Sequence, residues 1–576
     1  MIDLIAHNLA PIMFCTVMAM LLLGYPVAFT LAAGGLGFFV VGVELSHLSS
    51  EINLSWPLLQ SHPSRVFGIM SNETLLAIPF FTFMGLILER SGMAEDLLDT
   101  IGQLFGPVRG GVALAVVLVG ALLAATTGIV AASVMAMGLI SLPIMLRYGY
   151  SPAIAAGTVA ASGTLAQIVP PSLVLIVMAD QLGQPVGDMY VGAFVPAMIT
   201  IGIYIAFVVW LSIFRPKLVP ALPLEARKFR GGLVSLMAII GLSVLVALAA
   251  YHWGFSGSGP EMRLVLSIFL AAMFALGSTL LNRKLSLGLI SKLAEEVVIV
   301  LIPPLALIFL VLGTIFLGIA TPTEGGAMGA TGALVLAFIR RRLNYKMFKS
   351  ALDATARLAA FVMFILIGAR IFGLTFYGIN GNLWIEELLL QLPGGEIGFL
   401  IFVTLIVFIL GCFLDFFEIA FIIVPLLAPV AHQLGIDLIW FGVILGINLQ
   451  TSFLTPPFGF SLFFLRSVAP DADWTDQVTS RRMKAVRTIE IYKGALPYIG
   501  LQGAILAMVI AFPGLVTHYK DTPAPMQGDI QQGLPALPGL GGGALPGLPG
   551  SGGTLPGLPG SGDGATPQFS PLGGSN

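Results

Sequence analysis

The sequence has 576 residues, of which 57% are hydrophobic and only 10% are charged, and its mean hydropathy is +0.97. Soluble domains typically carry about 25% charged residues, so this composition indicates an all-α polytopic membrane protein rather than a soluble one. The net charge is −2, and no Lys/Arg run is long enough to suggest nucleic-acid binding.

Apolar segments recur along the whole chain, and a spanning helix needs about 20 such residues. Two segments, 9–44 and 396–433, are too long for one crossing, and 325–339 is too short. The predicted segments are 9–44, 66–89, 111–145, 153–180, 187–214, 231–252, 262–282, 295–318, 325–339, 357–377, 396–433, 438–465 and 494–515.

The chain is predicted to divide into four parts. Residues 1–215 and 295–516 are two similar halves, and 216–294 is a two-helix insertion between basic loops. Residues 517–576 repeat "LPGLPGSGG"-like units and are predicted to be a disordered Gly/Pro/Leu-rich tail, because they cannot form a packed core. The two cysteines, Cys15 and Cys412, lie in apolar runs and are predicted to be buried.

Two apolar segments contain a Pro-Pro pair, in "GTLAQIVPPS" from Gly163 and in "NLQTSFLTPPFG" from Asn448. Proline removes a backbone donor and clashes with the preceding turn, so each pair is predicted to break its helix. A shift of 286 residues aligns Pro170-Pro171 with Pro456-Pro457, Pro143 with Pro429, and Gly149 with Gly435. This internal similarity predicts a structural repeat.

Basic residues predict opposite orientations for the two copies, because Lys and Arg concentrate in cytoplasmic loops. Arg109 and Arg147 flank 111–145, which is predicted to be a re-entrant hairpin entered from the cytoplasm. The segment 396–433 has no basic residue at either flank. One predicted crossing separates it from the basic loop near 340–349, so it is predicted to be a hairpin entered from outside. Inverted-topology repeats of this kind are the architecture of secondary transporters.

Backbone that is unwound at membrane depth is tolerated where it lines a cavity or binds an ion. Carbonyl and hydroxyl oxygens suit Na⁺, and the N-terminal ends of half-helices suit a carboxylate. Ser172, which follows the first break, is a candidate substrate contact. The candidate Na⁺ ligands lie at the two hairpin tips and around the two breaks: Thr126, Thr127, Gly128, Gly163, Thr164, Pro170, Asp415, Asn448, Gln450, Thr451, Thr455 and Pro456.

Ionisable residues inside apolar runs need a reason, because each costs at least about 2.5–3.5 kcal/mol on insertion scales. Glu324, in "ATPTEGGAMGA", is compatible with an ion site, a proton relay or a structural pair. Arg370, in "LIGARIFG", is compatible with attracting an anionic substrate or with an ion pair to Asp415 or Glu418. We therefore treat Arg370, Glu324 and Glu418 as candidate substrate contacts.

Four segments together resemble the large membrane subunit of tripartite ATP-independent periplasmic (TRAP) transporters. They are "GTLAQIVPPS" from Gly163, "TPTE" from Thr321, "FLDFFE" from Phe413 and "NLQTSFLTPPFG" from Asn448, and the last two are most similar to the mannitol/chloroaromatic-type subgroup. The resemblance covers about residues 9–215 and 295–515. One departure is the first hairpin tip, which reads Thr126-Thr127-Gly128 where the family has a Gly-Ser-Ser-type tip.

The resemblance implies import of an organic acid across the bacterial inner membrane, driven by a Na⁺ gradient through an elevator-type movement. It also implies two partners, a periplasmic substrate-binding protein and a small four-helix membrane subunit, which is expected to be a separate chain. A binder-independent Na⁺/dicarboxylate symporter or antiporter is the alternative. An enzyme is disfavoured, because no nucleophile–base or metal constellation is present.

Overall fold

The computed structural model describes residues 2–49, 52–228, 232–255, 257, 259–476 and 479–520. Nine of the described helices are long and apolar enough to cross a membrane, or up to eleven if each of two bent helix pairs forms one span. Strands among the described residues form one antiparallel ribbon, β1 (Trp474–Thr475) with β2 (Arg482–Met483). These features confirm an all-α polytopic membrane protein. The predicted tail lies outside the described residues from position 521 onward.

The first seven helices show where the hydropathy pattern was ambiguous. The predicted segment 9–44 is two helices, because Gly24 (φ +85°) and Pro26 turn the chain between them. Cys15 is exposed, so its predicted burial is wrong. Lipid is as apolar as the protein interior, and a small apolar side chain is therefore stable on a lipid-facing surface. The helices are α1 (Ile2–His7), α2 (Leu9–Leu22), α3 (Val27–Leu45), α4 (Trp56–Leu59), α5 (His62–Met70), α6 (Glu73–Arg90) and α7 (Met93–Phe105).

The first hairpin consists of α8 (Gly111–Thr127) and α9 (Val130–Arg147), joined at Gly128 and Ile129. Its two ends meet, since the Val112 N–H at the start of α8 donates to the Tyr150 hydroxyl just after α9 at 3.2 Å. The chain therefore returns to the level at which it started. Entry from the cytoplasmic side stays a prediction.

The first broken helix follows as α10 (Pro152–Thr164), a 3₁₀ turn (Leu165–Gln167) and α11 (Leu173–Leu182). The break lies at Pro170-Pro171, as predicted, and the long α12 (Val186–Phe214) comes next.

The middle of the chain contains helices longer than hydropathy predicted. The segment 325–339 becomes the 18-residue α16 because Thr321 caps it and Pro322 starts it, and α17 begins at Tyr345 rather than near 357. The elements are a 3₁₀ turn (Leu224–Ala226), α13 (Leu233–Ala249), a π turn (Ala250–Gly254), α14 (Pro260–Leu285), α15 (Lys292–Phe316), α16 (Pro322–Ile339), α17 (Tyr345–Gly378) and α18 (Gly381–Leu390).

The second hairpin comprises α19 (Gly395–Leu410), α20 (Phe416–Glu418), a π turn (Ile419–Ile423) and α21 (Val424–Gln433). The end of α21 lies beside α18, because the Gln433 side-chain amide donates to Glu386 Oε1 at 2.7 Å. The second broken helix follows as α22 (Leu438–Phe453) and α23 (Phe460–Val468), with Pro456-Pro457 between them. The last helices are α24 (Thr488–Ala511) and α25 (Gly514–Thr517).

The two halves exchange contacts in a reciprocal way. The second part of the first broken helix, α11, packs against α20 and α21 of the second hairpin, and α23 of the second broken helix packs against α9 of the first hairpin. Each broken helix thus lies between both hairpins, which is the arrangement that a repeat of two interlocking halves predicts.

Candidate functional site

The tip of the first hairpin is a tight, buried turn. Gly128 has a φ of +60°, a conformation that favours glycine. The hydroxyls of Thr126 and Thr127 both donate to the Leu123 carbonyl at 2.9 Å, and Thr127 Oγ1 also lies 2.6 Å from Ser133 Oγ. Each hydroxyl hydrogen is therefore used within the hairpin, and the remaining capacity of the two oxygens is to accept.

At the first break, the chain leaves the α-helix just after Gly163 and Thr164. The Ser172 hydroxyl donates to the Gln167 carbonyl at 2.8 Å and accepts from a backbone N–H of α11 at 3.2 Å. Ser172 therefore caps α11, a role independent of the predicted substrate contact. Pro170 lies inside the break, and as a proline it has no backbone N–H to donate.

The second break carries the equivalent set of polar residues. Asn448, Gln450 and Thr451 are buried in the last two turns of α22, and Thr455 and Pro456 lie in the break itself. Both threonine hydroxyls donate to the carbonyl four residues earlier at 2.9 Å. The lone pairs of these oxygens again remain available.

The two breaks meet around Tyr204 of α12. Its buried hydroxyl accepts a hydrogen bond from the Gln502 amide and faces both Thr164 and Gln450. Thr164 and Gln450 are equivalent positions of the repeat, 286 residues apart. The structure thus brings the corresponding residues of both halves to one place.

Several buried polar atoms on the segments that carry the two breaks have no hydrogen-bond partner among the described residues. They are the side-chain oxygens of Ser162 and Asn448 and the amide groups of Gln167 and Gln450, and all four residues have 0% exposure. Buried polar groups are normally hydrogen-bonded, so these atoms make the surroundings of the two breaks candidate ligand-binding regions. Side-chain oxygens are the type of ligand that a hard cation such as Na⁺ prefers.

Two of these residues, Ser162 and Gln167, escaped the sequence prediction although they lie in or beside the first Pro-Pro motif. Tyr204 and Gln502 were also missed, because isolated polar residues in apolar helices carry no periodic signal. An amide three residues before a Pro-Pro break is the signal that would have identified Gln167.

The tip of the second hairpin is a buried capping box. The Asp415 N–H donates to Glu418 Oε2 at 3.1 Å, and the Phe416 N–H donates to Asp415 Oδ1 at 2.8 Å. The carboxylates therefore stabilise the start of α20. Their predicted roles as Na⁺ and substrate ligands stay predictions.

Glu324 occupies the same position in a second capping box at the start of α16. The Thr321 N–H donates to Glu324 Oε2 at 2.8 Å, and the Glu324 N–H donates to Thr321 Oγ1 at 3.2 Å. This exposed glutamate therefore caps α16, and its predicted roles as an ion site, a proton relay or a structural pair stay predictions.

Arg370 forms no ion pair with Asp415 or Glu418, so that predicted pairing is wrong for the described residues. It lies instead on the side of α17 that interacts electrostatically with Arg65 of α5 and Asp180 of α11. The direction of Arg370 depends on how α17 packs, which the sequence does not reveal.

Comparison with known proteins agrees with this architecture. The sequence model for the family described as "Tripartite ATP-independent periplasmic transporter, DctM component" matches residues 14–515. The C4-dicarboxylate TRAP transporter large permease protein DctM of Pseudomonas aeruginosa is 30% identical over 70% of this chain and 79% of its own length. The protein of the same name from Vibrio cholerae is 27% identical over 84% of this chain and 95% of its own length. The isethionate TRAP transporter permease protein DctMQ of Oleidesulfovibrio alaskensis is 25% identical over 88% of this chain and 65% of its own length.

These relatives are transporter permeases and not enzymes. The family match covers most of the chain, including both hairpins and both broken helices. The chain therefore belongs to the tripartite ATP-independent periplasmic transporter family as its large, multi-pass inner-membrane subunit.

Proposed function

We propose that this protein imports an organic acid by secondary active transport coupled to a Na⁺ gradient, together with a periplasmic binding protein and a small membrane subunit on a separate chain. The observation that carries the proposal is the set of unpaired, buried side-chain oxygens on the segments that carry the two breaks. Membership of the family supports secondary transport and both partners. The relatives named for C4-dicarboxylates and isethionate support an organic acid as the substrate class.

In this proposal, the side chains at the breaks and at the first hairpin tip hold Na⁺. Asn448 and Gln450 supply amide oxygens, and Thr127 and Thr164 supply hydroxyl oxygens. The N-terminal ends of α11 and α23 point partial positive charge at the substrate carboxylate. Ser172, as the cap of α11, positions that helix end.

Arg370 is proposed to attract the anionic substrate. Arg370 interacts electrostatically with Asp180 and also with Arg65, so the formal charge of the three groups stays positive even when Asp180 is ionised. A net positive charge raises the local concentration of a carboxylate.

Uptake into proteoliposomes tests the proposal. A panel of labelled organic acids that includes C4-dicarboxylates and isethionate is offered with the binding protein and an inward Na⁺ gradient. We expect uptake only when both are present. Uptake that persists without the binding protein and in K⁺ buffer would instead support the binder-independent symporter or antiporter.

Asn448→Ala is expected to raise the Na⁺ concentration needed for half-maximal uptake by about tenfold, because a lost ligand to a buried cation costs on the order of 1–3 kcal/mol. The matched control is Ser452→Ala, one turn further along α22, where the hydroxyl donates to the Leu449 carbonyl at 2.9 Å. Equal Na⁺ dependence of the two variants would remove Asn448 from the site.

Gly85→Ala tests whether the first hairpin moves past α6, as an elevator-type movement requires. A Cβ on Gly85 would lie 2.4 Å from Thr127 Cα and 2.7 Å from the Thr126 carbonyl oxygen. Overpacking of this kind costs about 1–3 kcal/mol, so we expect uptake per folded protein to fall about tenfold. The control is Gly37→Ala, where a Cβ meets nothing within 4 Å. Normal uptake by Gly85→Ala would argue against sliding at this contact.

A further inference from the structure

An open pocket of about 550 Å³ lies between the C-terminal end of α6 and the first turns of α17. Arg90 comes from α6, whereas Lys346, Lys349, Asp353 and Arg357 come from α17. This pocket, which we call the basic pocket, lies outside the hairpins and broken helices and has no part in the proposed transport site.

The charge of the basic pocket is strongly positive. Its four cations face a single carboxylate, Asp353, which leaves a formal charge of +3 (4 − 1). None of the four pocket cations forms an ion pair with another described residue, because no described carboxylate oxygen lies within 4.0 Å of their nitrogen atoms. The Arg90 guanidinium donates to the Ser350 hydroxyl, which joins the two walls of the pocket.

An apolar strip continues from the pocket along the same face of α17. Positions 353, 357, 361 and 364 are three or four residues apart and therefore share that face. Phe361 and Phe364 are 45% and 55% exposed. With a rise of about 1.5 Å per residue, Phe364 lies about 10 Å beyond Arg357 along the helix.

The position of the strip relative to the membrane follows from the charge pattern of α17. Its first three turns are basic, and apolar residues follow. The positive-inside rule places those basic turns at the cytoplasmic surface. The phenylalanines then extend from that surface toward the bilayer interior.

We propose that the basic pocket binds the headgroup of an anionic phospholipid of the cytoplasmic leaflet, with its acyl chains lying along Phe361 and Phe364. Arginine and lysine donate charge-assisted hydrogen bonds to phosphate oxygens. Basic pockets at the cytoplasmic ends of membrane helices suit such headgroups. The lipid would hold the ends of α6 and α17 together.

The apolar strip favours a lipid over a free phosphate or an acidic protein segment. A free phosphate would use the four cations but not Phe361 or Phe364. An acidic segment of the small membrane subunit would satisfy the charge, and its presence on the pocket would exclude lipid. The experiment separates these three occupants.

The test uses the full-length chain purified in mild detergent with its small membrane subunit, titrated with fluorescently labelled phosphatidylglycerol or phosphatidylcholine. The variant Lys346→Gln/Lys349→Gln/Arg357→Gln removes three pocket cations. The control Arg283→Gln/Lys284→Gln/Lys292→Gln removes three cations near another loop that is predicted to be cytoplasmic. We expect the pocket variant to bind phosphatidylglycerol about tenfold more weakly or worse, and the control to bind as the unmodified protein does.

Each other outcome overturns the proposal. Equal affinity for the two lipids, or an equal effect of the two triple variants, shows that the pocket does not select the headgroup. Full displacement of the lipid by millimolar inorganic phosphate favours a free anion. Binding to the chain alone, but not to the complex, identifies the small subunit as the occupant. If the triple variant fails to fold, as judged by its melting temperature without lipid, Arg357→Gln is used and is expected to bind about threefold more weakly.

Discussion

Gly494→Leu is expected to abolish accumulation of the folded protein. Gly494 of α24 crosses Gly157 of α10 with backbone against backbone. A Cβ on Gly494 would lie 1.9 Å from the Ala153 carbonyl oxygen, and a Cβ on Gly157 would lie 2.0 Å from the Gly494 carbonyl oxygen. Neither carbonyl can rotate away, because both belong to helices. The two helices must therefore separate to admit any side chain.

Separation of α10 from α24 would break buried interactions beyond the glycines. Thr158 and Tyr498 share a hydrogen bond of 2.8 Å across this interface, and Gln502 of α24 donates to Tyr204 beside the candidate site. We expect a loss of about 4 kcal/mol or more in the free energy of unfolding, against a typical total of about 5–15 kcal/mol. Size-exclusion chromatography of a fluorescently tagged protein and thermal unfolding in detergent measure the effect.

Gly500→Leu is the matched control, since this glycine of α24 is exposed and a Cβ there meets nothing within 4 Å. We expect it to accumulate and melt like the unmodified protein. A monodisperse Gly494→Leu protein with the melting temperature of the control would contradict the close crossing.

Arg147→Ala is expected to destabilise the protein by about 3–5 kcal/mol, because it leaves a buried carboxylate unpaired. Arg147 ends α9, and its guanidinium contacts both carboxylate oxygens of Asp476, with distances of 2.7–3.0 Å. Asp476, whose side chain is 0% exposed, also accepts from the Thr479 N–H at 2.8 Å and from its hydroxyl at 2.6 Å. This ion pair ties the first hairpin to the loop after the second broken helix.

The double variant Arg147→Met/Asp476→Leu is expected to recover most of the lost stability, since apolar pairs often replace buried ion pairs at little cost. Arg482→Ala is the control, because its partner Asp473 is 43% exposed and the pair is worth at most about 1 kcal/mol. Thermal unfolding in detergent compares the variants. An Arg147→Ala protein no less stable than Arg482→Ala would refute the assignment.

The same ion pair predicts a pH dependence. Burial opposes ionisation of Asp476, but the hydrogen bonds from Arg147 and Thr479 outweigh it and lower the pKa of this carboxyl. A lowered folded-state pKa stabilises the protein at pH values above the ordinary aspartate pKa of about 3.9, and this stabilisation is lost as pH falls through the folded-state value. The Asp476→Asn protein should therefore lose less stability on acidification than the unmodified protein.

The two predicted breaks were readable because each rests on local chemistry. Proline cannot donate a backbone hydrogen bond wherever it lies, so Pro170-Pro171 and Pro456-Pro457 interrupt their helices in any fold. The capping boxes at Thr321 and Asp415 are equally local, yet they were interpreted only as charges in apolar runs. The short helix α18 and the amphipathic α7 were missed, because hydropathy averages favour long apolar segments.

Side-chain direction, in contrast, depends on packing between distant elements. Arg370 interacts with Arg65 and Asp180 rather than with Asp415 or Glu418, although α17 packs against both α5 and the second hairpin. The meeting of Thr164 with Gln450 at Tyr204 joins three helices that are far apart in the chain. No local pattern reports which faces of these helices meet.

The sequence by itself determined that this is a polytopic membrane protein whose helices break at two Pro-Pro pairs, because composition and proline chemistry act locally. The tertiary structure decided that Thr164 and Gln450 approach the same tyrosine, that Ser162 and Gln167 have buried unpaired polar atoms, and that Glu324 caps a helix. The physical reason is that burial and neighbours depend on which faces of distant helices pack together.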